Sequence, residues 1–207
     1  MGCYLGLLQY YNRKRNLDNI INLEPFNSSS ILINNSHIIT NYLKQNNIVP
    51  SIAIIGCNGR TGNGCIKLLK LLNLDYTGYT TEMSKNDLNN FNIILNCIHI
   101  TKYIEPFITY NNLNSFTNTD VVVDISCDYS HKYNPFPIYN RCSTFINPII
   151  KVNNIDIIAI ENLPSLLPIE SSTVFSNKLV NLINNTDYAY CWDKVNNLYI
   201  DNINNLN

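Results

Sequence analysis

Residues 51–62 read SIAIIGCNGRTG, and no other stretch of the chain restricts its fold as tightly. Residues 51–56 form a short continuous apolar run with three isoleucines, preceded by Pro50, as expected of a strand buried on both faces and hence of a parallel sheet. The period then changes. Cys65, Leu68, Leu69 and Leu72 make one apolar stripe while Asn63, Lys67 and Lys70 turn outward, which predicts an amphipathic helix from Gly62. Between strand and helix stand Gly56, Gly59 and Gly62, an order that suits a dinucleotide site. Gly56 allows the tight turn, Gly59 lets backbone approach a pyrophosphate, and Gly62 lets the helix lie close to the strand. The helix N-terminus adds unpaired N–H groups and the positive end of its dipole, and Arg60 adds a charge-assisted contact.

The rest of the chain repeats the alternation of strand and helix. Residues 92–98, 121–125 and 155–160 are strand candidates, 74–79 a weaker one, with connections long enough to cross over. Phe175, Leu179, Leu182 and Ile183 share a helical face after Pro168, and that helix is expected to close the nucleotide-binding unit. The first 48 residues read differently: Pro25 and the cluster Ser28, Ser29, Ser30 separate one helical piece, 4–14, from another, 36–46. Asn202, Asn204, Asn205 and Asn207 are interleaved with Ile203 and Leu206 and read as a fraying helix end, not a prion-like tract. The predicted fold is α/β, a Rossmann-like parallel sheet with flanking helices plus a helical N-terminal segment and a C-terminal tail. Residues 1–48 are read as a helical lead-in, 49–185 as the NAD-binding Rossmann-like domain, and 186–207 as the tail.

Composition removes several function classes. Lys+Arg 14 against Asp+Glu 15 gives a formal charge of -1, so nucleic acid is not an expected partner. No apolar stretch approaches the ~20 residues that cross a bilayer. The opening MGCYLGLLQYYNRKR places its basic residues after the apolar part, unlike a signal peptide, and Gly6 stands where a myristoylation motif wants Ser or Thr. The seven cysteines are scattered without a C-x-x-C pair, and His37, His99 and His131 are isolated. Neither a metal site nor a disulfide framework is expected, and a reducing cytoplasm fits best. One element of a dinucleotide site is missing: about 20 residues past the turn a carboxylate should hold the ribose hydroxyls, and Tyr79 stands there. Glu82 is the nearest acid, either a substitute or a solvated loop residue, and no Arg cluster marks NADP.

Four segments, IIGCNGRTGNGCIKLL, NIILNCIHITKYIEPF, VVVDISCDYSHKYNPFPIY and IENLPSLLPIESSTVFS, resemble the NAD-dependent, lysine-forming saccharopine dehydrogenases in order and near spacing. The resemblance covers residues 52–183. It implies an oxidoreductase of lysine biosynthesis by the aminoadipate route that oxidises the secondary amine of saccharopine with NAD and hydrolyses the imine to lysine and 2-oxoglutarate. Carried over by position, Gly59 and Arg60 contact the pyrophosphate. His99, Ile125, Ile160, Glu161, Asn162 and Leu163 line the nucleotide side, and Ser126, Cys127 and Asp128 face the substrate. Cys127 is read as a small buried residue, not a nucleophile.

Departures from the family are Tyr79 for its ribose-binding acid, His99 for an aromatic hydroxyl residue, and Glu161 for Asp. The family's acid-base Lys and His lie in an N-terminal domain outside this sequence, so no catalytic residue is assigned. The opening GCYLGLLQYYNRK resembles a helix late in that domain. Three readings follow: an enzyme half completed by a separate chain carrying the missing domain, an NAD-binding protein without catalysis, and a decayed fragment.

Overall fold

The computed structural model of the chain describes residues 1–80, 85–184 and 189–204. Residues Met1–Leu167 form one compact unit and Pro168–Asn207 a second. The first is built on a six-stranded sheet: β1 Ile52–Ile55, β2 Thr77–Tyr79, β3 Ile93–Asn96, β4 Val121–Asp124, β5 Ile150–Val152 and β6 Ile155–Ile158, in the order β2-β1-β3-β4-β6-β5. All pairings are parallel except β5 with β6. The five predicted strands are present, each shorter than its apolar run. β5 was not anticipated. It joins β6 through Asn153 and Asn154, with Asn153 at φ 51, a left-handed conformation that asparagine tolerates better than most residues.

The sheet is buried on both faces, as the unbroken apolar strands require, but the two faces are covered differently. Ile54, Leu95, Val123 and Ile158 face helices α1 (Gly2–Lys14), α2 (Ser29–Gln45) and α3 (Arg60–Leu71). Helix α1, read from sequence as part of a lead-in before residue 49, covers the centre of this face, against β3 and β4. It comes close because Gly2 and Gly6 point at the sheet: a Cβ at Gly6 would stand 2.9 Å from Val123 Cγ2. α2 packs in turn against α1.

On the opposite face Ile55, Ile94, Val122 and Ile157 are covered by the 3-10 turns Lys85–Asn90 and Leu113–Ser115 and by irregular chain carrying Ile108, Phe116 and Phe136. Pro106, Pro135 and Pro137 fall in these connections, each lacking an N–H and obstructing a helix. Phe107 stacks on Phe136 at 5.8 Å in the helix's place.

An ion-pair network fastens the far end of α1. Asp156, 1% exposed in β6, accepts from Gln9 Nε2 at 2.6 Å and pairs with Arg13 Nη1 at 3.2 Å and Lys151 Nζ at 3.1 Å. Arg13 Nε and Lys14 Nζ also reach Asp120, at 3.1 and 2.9 Å. These cations sit in the last turn of α1, where the helix dipole favours positive charge.

The second unit contains α4 (Pro168–Asn184) and α5 (Ala189–Asn204), with Trp192 Nε1 donating to Leu182 O at 3.2 Å. The sequence placed a boundary after residue 185, whereas the structure divides the chain after Leu167. The apolar stripe of α4 is in solvent at Phe175 and Ile183, 67% and 62% exposed. Most of the sequence-defined tail is helical, as α5.

Candidate functional site

Strand order reverses between β1 and β3: the chain leaves β1 for β2 on one side and returns to β3 on the other. In open α/β sheets ligands bind outside the carboxyl ends of the strands at such a point. The glycine turn sits there. Gly56 has φ 78, and its N–H donates to Tyr79 O at 3.1 Å, while Gly59 N–H donates to Gly56 O at 3.0 Å. Gly62 lies against the turn itself, where any Cβ would collide with the Gly56 carbonyl and come 2.7 Å from Cys57 Cα. Gly59 caps α3 and is exposed, with only Gly56 O and Cys97 O near its missing side chain. The first-turn N–H groups that follow have no intrahelical acceptors. A cleft of about 560 Å³ opens over this turn, lined by Gly56, Asn58, Gly59, Tyr79, Ile98 and Lys102 among others.

A smaller hollow of about 210 Å³ lies across Ile98, lined by Thr61, Cys97, His99, Ile125, Ser126 and Asp128. The structure therefore brings the glycine turn, His99 and residues 125–128 to one edge of the sheet. Ser126 Oγ donates to Ile98 O, joining the loops after β3 and β4. Arg60 is exposed in the first turn of α3. Ile160 and Leu163 are elsewhere, 3% and 5% exposed in the apolar core on the helical side. Glu161 and Asn162 are exposed between them. Lys102 was missed as a cleft residue; it follows β3 in irregular chain, where no periodicity flags it.

Tyr79 ends β2 with its ring 3% exposed and edge-on to Phe91 at 5.6 Å. Burial, and secondarily Asp87, raises its hydroxyl above the ordinary tyrosine range. Its side chain is thus largely core, with a surface on the cleft, and Glu82 lies outside the described residues.

Sequence reasoning also passed over Asp124, at the end of β4. It is fully buried and accepts from Asn96 Nδ2 at 2.8 Å, Cys127 N–H at 3.1 Å and Tyr139 O–H at 2.5 Å. Desolvation outweighs these three donors and raises its carboxyl above the usual range. A carboxyl raised in the folded state gives stability that is complete below the unfolded value of about 3.9 and lost as pH rises through the folded value. Tyr139→Phe removes a donor that favours the charged form, so it should raise Asp124 further and deepen that loss. Urea midpoints measured from acid to neutral pH should fall more in the variant, with a difference of about 1.5–3 kcal/mol at neutrality. Parallel pH profiles would contradict this.

A mostly parallel sheet whose order reverses beside a glycine turn opening a helix defines a Rossmann-like α/β domain of the dinucleotide-binding class. The chain belongs to the family described as alanine dehydrogenase/PNT, C-terminal domain, whose model matches residues 73–198. Its curated relatives include the saccharopine dehydrogenase [NAD(+), L-lysine-forming] of Candida glabrata, 33% identical over 196 residues, covering 86% of this chain and 53% of that protein. The enzyme of the same name from Schizosaccharomyces pombe is 33% identical over 179 residues, covering 75% and 47%. The chain spans about half the length of these relatives. A solved L-alanine dehydrogenase shares the fold, with TM-score 0.56 and 11% identity over 93% of this chain and 56% of that one. Among the described residues no helix is long and apolar enough to cross a membrane.

Proposed function

We propose that this chain is the nucleotide-binding half of a cytoplasmic, lysine-forming saccharopine dehydrogenase and acts with a second domain carrying the acid-base pair. The observation that carries the reading is the open cleft over Gly59 at the strand switch point, in a chain one-third identical to enzymes of that name. The residues fit NAD. Gly59 leaves the turn bare, Gly56 supplies the left-handed corner, and Gly62 brings the α3 N-terminus against it.

NAD bound there would supply the hydride acceptor. The α3 amides and Arg60 would hold its pyrophosphate, and His99, Ile125 and Glu161 would border the nucleotide. Ser126 and Asp128, both partly exposed in the adjoining hollow, would orient the substrate amine, with Cys127 as a small packing residue behind them. Saccharopine carries ammonium and carboxylate groups, and Lys102 offers a cation at the same edge.

The chain alone is expected to show no saccharopine-dependent NADH formation, because none of its residues supplies the acid-base pair, worth about 10²- to 10⁴-fold, and part of the substrate pocket is elsewhere. NADH absorbance with saccharopine, recorded alone and after adding the N-terminal domain of a related enzyme, tests this. Turnover only in the mixture supports the reading, and turnover by the chain alone overturns the division of labour. The burial of Tyr79 at the ribose-acid position favours a second reading, an NAD-binding chain without catalysis. NADH binding with no turnover in the mixture would select it.

A further inference from the structure

Cys127 and Cys142 lie 15 residues apart in irregular chain beyond β4, yet their sulfurs are 3.3 Å apart. Cys127 Sγ–H donates to Cys142 Sγ, and Cys142 Sγ–H donates to Glu161 Oε1 at 3.2 Å. Cys127 is held from both sides: its N–H is on Asp124, and its backbone is left-handed at φ 56, so its thiol is delivered to this spot by main-chain geometry. Cys142 is half-buried and therefore the more accessible sulfur. A second group joins Cys65, on the buried side of α3, to Cys97 at 3.8 Å and to the buried Cys3.

We propose that Cys127 and Cys142 form a reversible disulfide at the carboxyl edge of the sheet, with a low-molecular-weight disulfide as oxidant and Cys142 as the sulfur that meets it first. The Cys142 thiolate attacks the small disulfide, whose S–S bond breaks to leave a mixed disulfide and release one small thiolate. The Cys127 thiolate then attacks the Cys142 sulfur and expels the second. The two protein protons end on the two released thiols, so one small disulfide is reduced as one protein disulfide forms. Closure needs the sulfurs to move from van der Waals contact to bonding distance, about 2.05 Å, which side-chain rotation can supply. It takes the S–H donor away from Glu161 and closes a loop over residues 127–142 that includes Tyr139, the donor to Asp124. The proposal stands on sulfur geometry and does not depend on which substrate the cleft takes.

The test is incubation of the full chain with oxidised glutathione at mildly alkaline pH, alkylation with N-ethylmaleimide, trypsin digestion and mass spectrometry. Lys102, Lys132, Arg141 and Lys151 place the two cysteines on separate peptides, 103–132 and 142–151. These should appear joined, two hydrogens lighter than their sum, before any link between 61–67 and 86–102, which carry Cys65 and Cys97. Dithiothreitol should separate them. Cys127→Ser should stop the sequence at a stable glutathione adduct on Cys142. Peptides 103–132 and 142–151 that stay alkylated and unlinked while other cysteines oxidise would overturn the proposal, as would a Cys127→Ser chain with no adduct on Cys142.

Discussion

Gly59→Val should abolish NADH binding in a fluorescence titration while leaving circular dichroism nearly unchanged. The two halves of that result have separate causes. A Cβ at Gly59 meets Gly56 O at 3.3 Å and Cys97 O at 4.0 Å, contacts that small shifts relieve, and the position is exposed, so the fold has little to lose. The valine branches would occupy the space over the turn where a pyrophosphate must approach the α3 amides. A loss of at least about 100-fold is expected, since forfeiting two or more charge-assisted hydrogen bonds at about 1.5–3 kcal/mol each exceeds the roughly 2.7 kcal/mol that 100-fold represents. Gly62→Val is not an equivalent probe, because its Cβ strikes the backbone of Gly56 and Cys57 and would damage the fold itself. Unchanged NADH affinity in Gly59→Val would remove the glycine turn from the site.

Asp156→Ala should be among the most destabilising single changes in the chain, about 3–5 kcal/mol by urea unfolding. Its carboxylate is almost wholly out of water and is shared by Gln9 Nε2, Arg13 Nη1 and Lys151 Nζ. Removing it takes one of two acceptors from the amide nitrogen of Gln9, a residue 1% exposed, which is left with Asn19 Oδ1 at 2.9 Å, and leaves the Arg13 guanidinium part-buried with only Asp120 to answer it. Lys151→Ala is the contrasting control. The Lys151 side chain is 59% exposed, and exposed pairs contribute about 0–1 kcal/mol, so that variant should scarcely move the midpoint. Equal effects of the two substitutions would show that the network does not fasten α1 to the sheet.

How far the sequence announces these features depends on the range of the interactions behind them. The β1–turn–α3 unit is local, and its apolar run, glycine spacing and change of period were all legible. β5 is three residues long with no fully buried position, so it carries no pattern of its own and exists because Asn153 and Asn154 fold it back on β6. Helix α1 was legible as a helix but not as the cover of a sheet whose strands begin at Ile52, since nothing local distinguishes a glycine facing β-branched side chains from one facing solvent. Tyr79 was placed correctly at the end of the second strand, yet its ring turns toward Phe91, a tertiary choice that a position in a motif does not encode. The site divided the same way: the Gly56–Gly62 turn and residues 125–128 follow strands that could be read, while Lys102, Asp124 and the meeting of Cys127 with Cys142 depend on loops without periodicity.

The place of α1 also sets an order on assembly. Its cover over β3 and β4, and its ties from Arg13 to Asp120 and from Gln9 to Asp156, span 107 and 147 residues of chain. Helix α1 therefore has no seat until β3 and β4 have emerged and is not fastened until β6 follows, and contacts of such separation slow folding because their loop-closure entropy falls due before they stabilise anything. Until β3 and β4 are made, the apolar face of α1 waits uncovered, an interval in which a nascent chain is prone to aggregate.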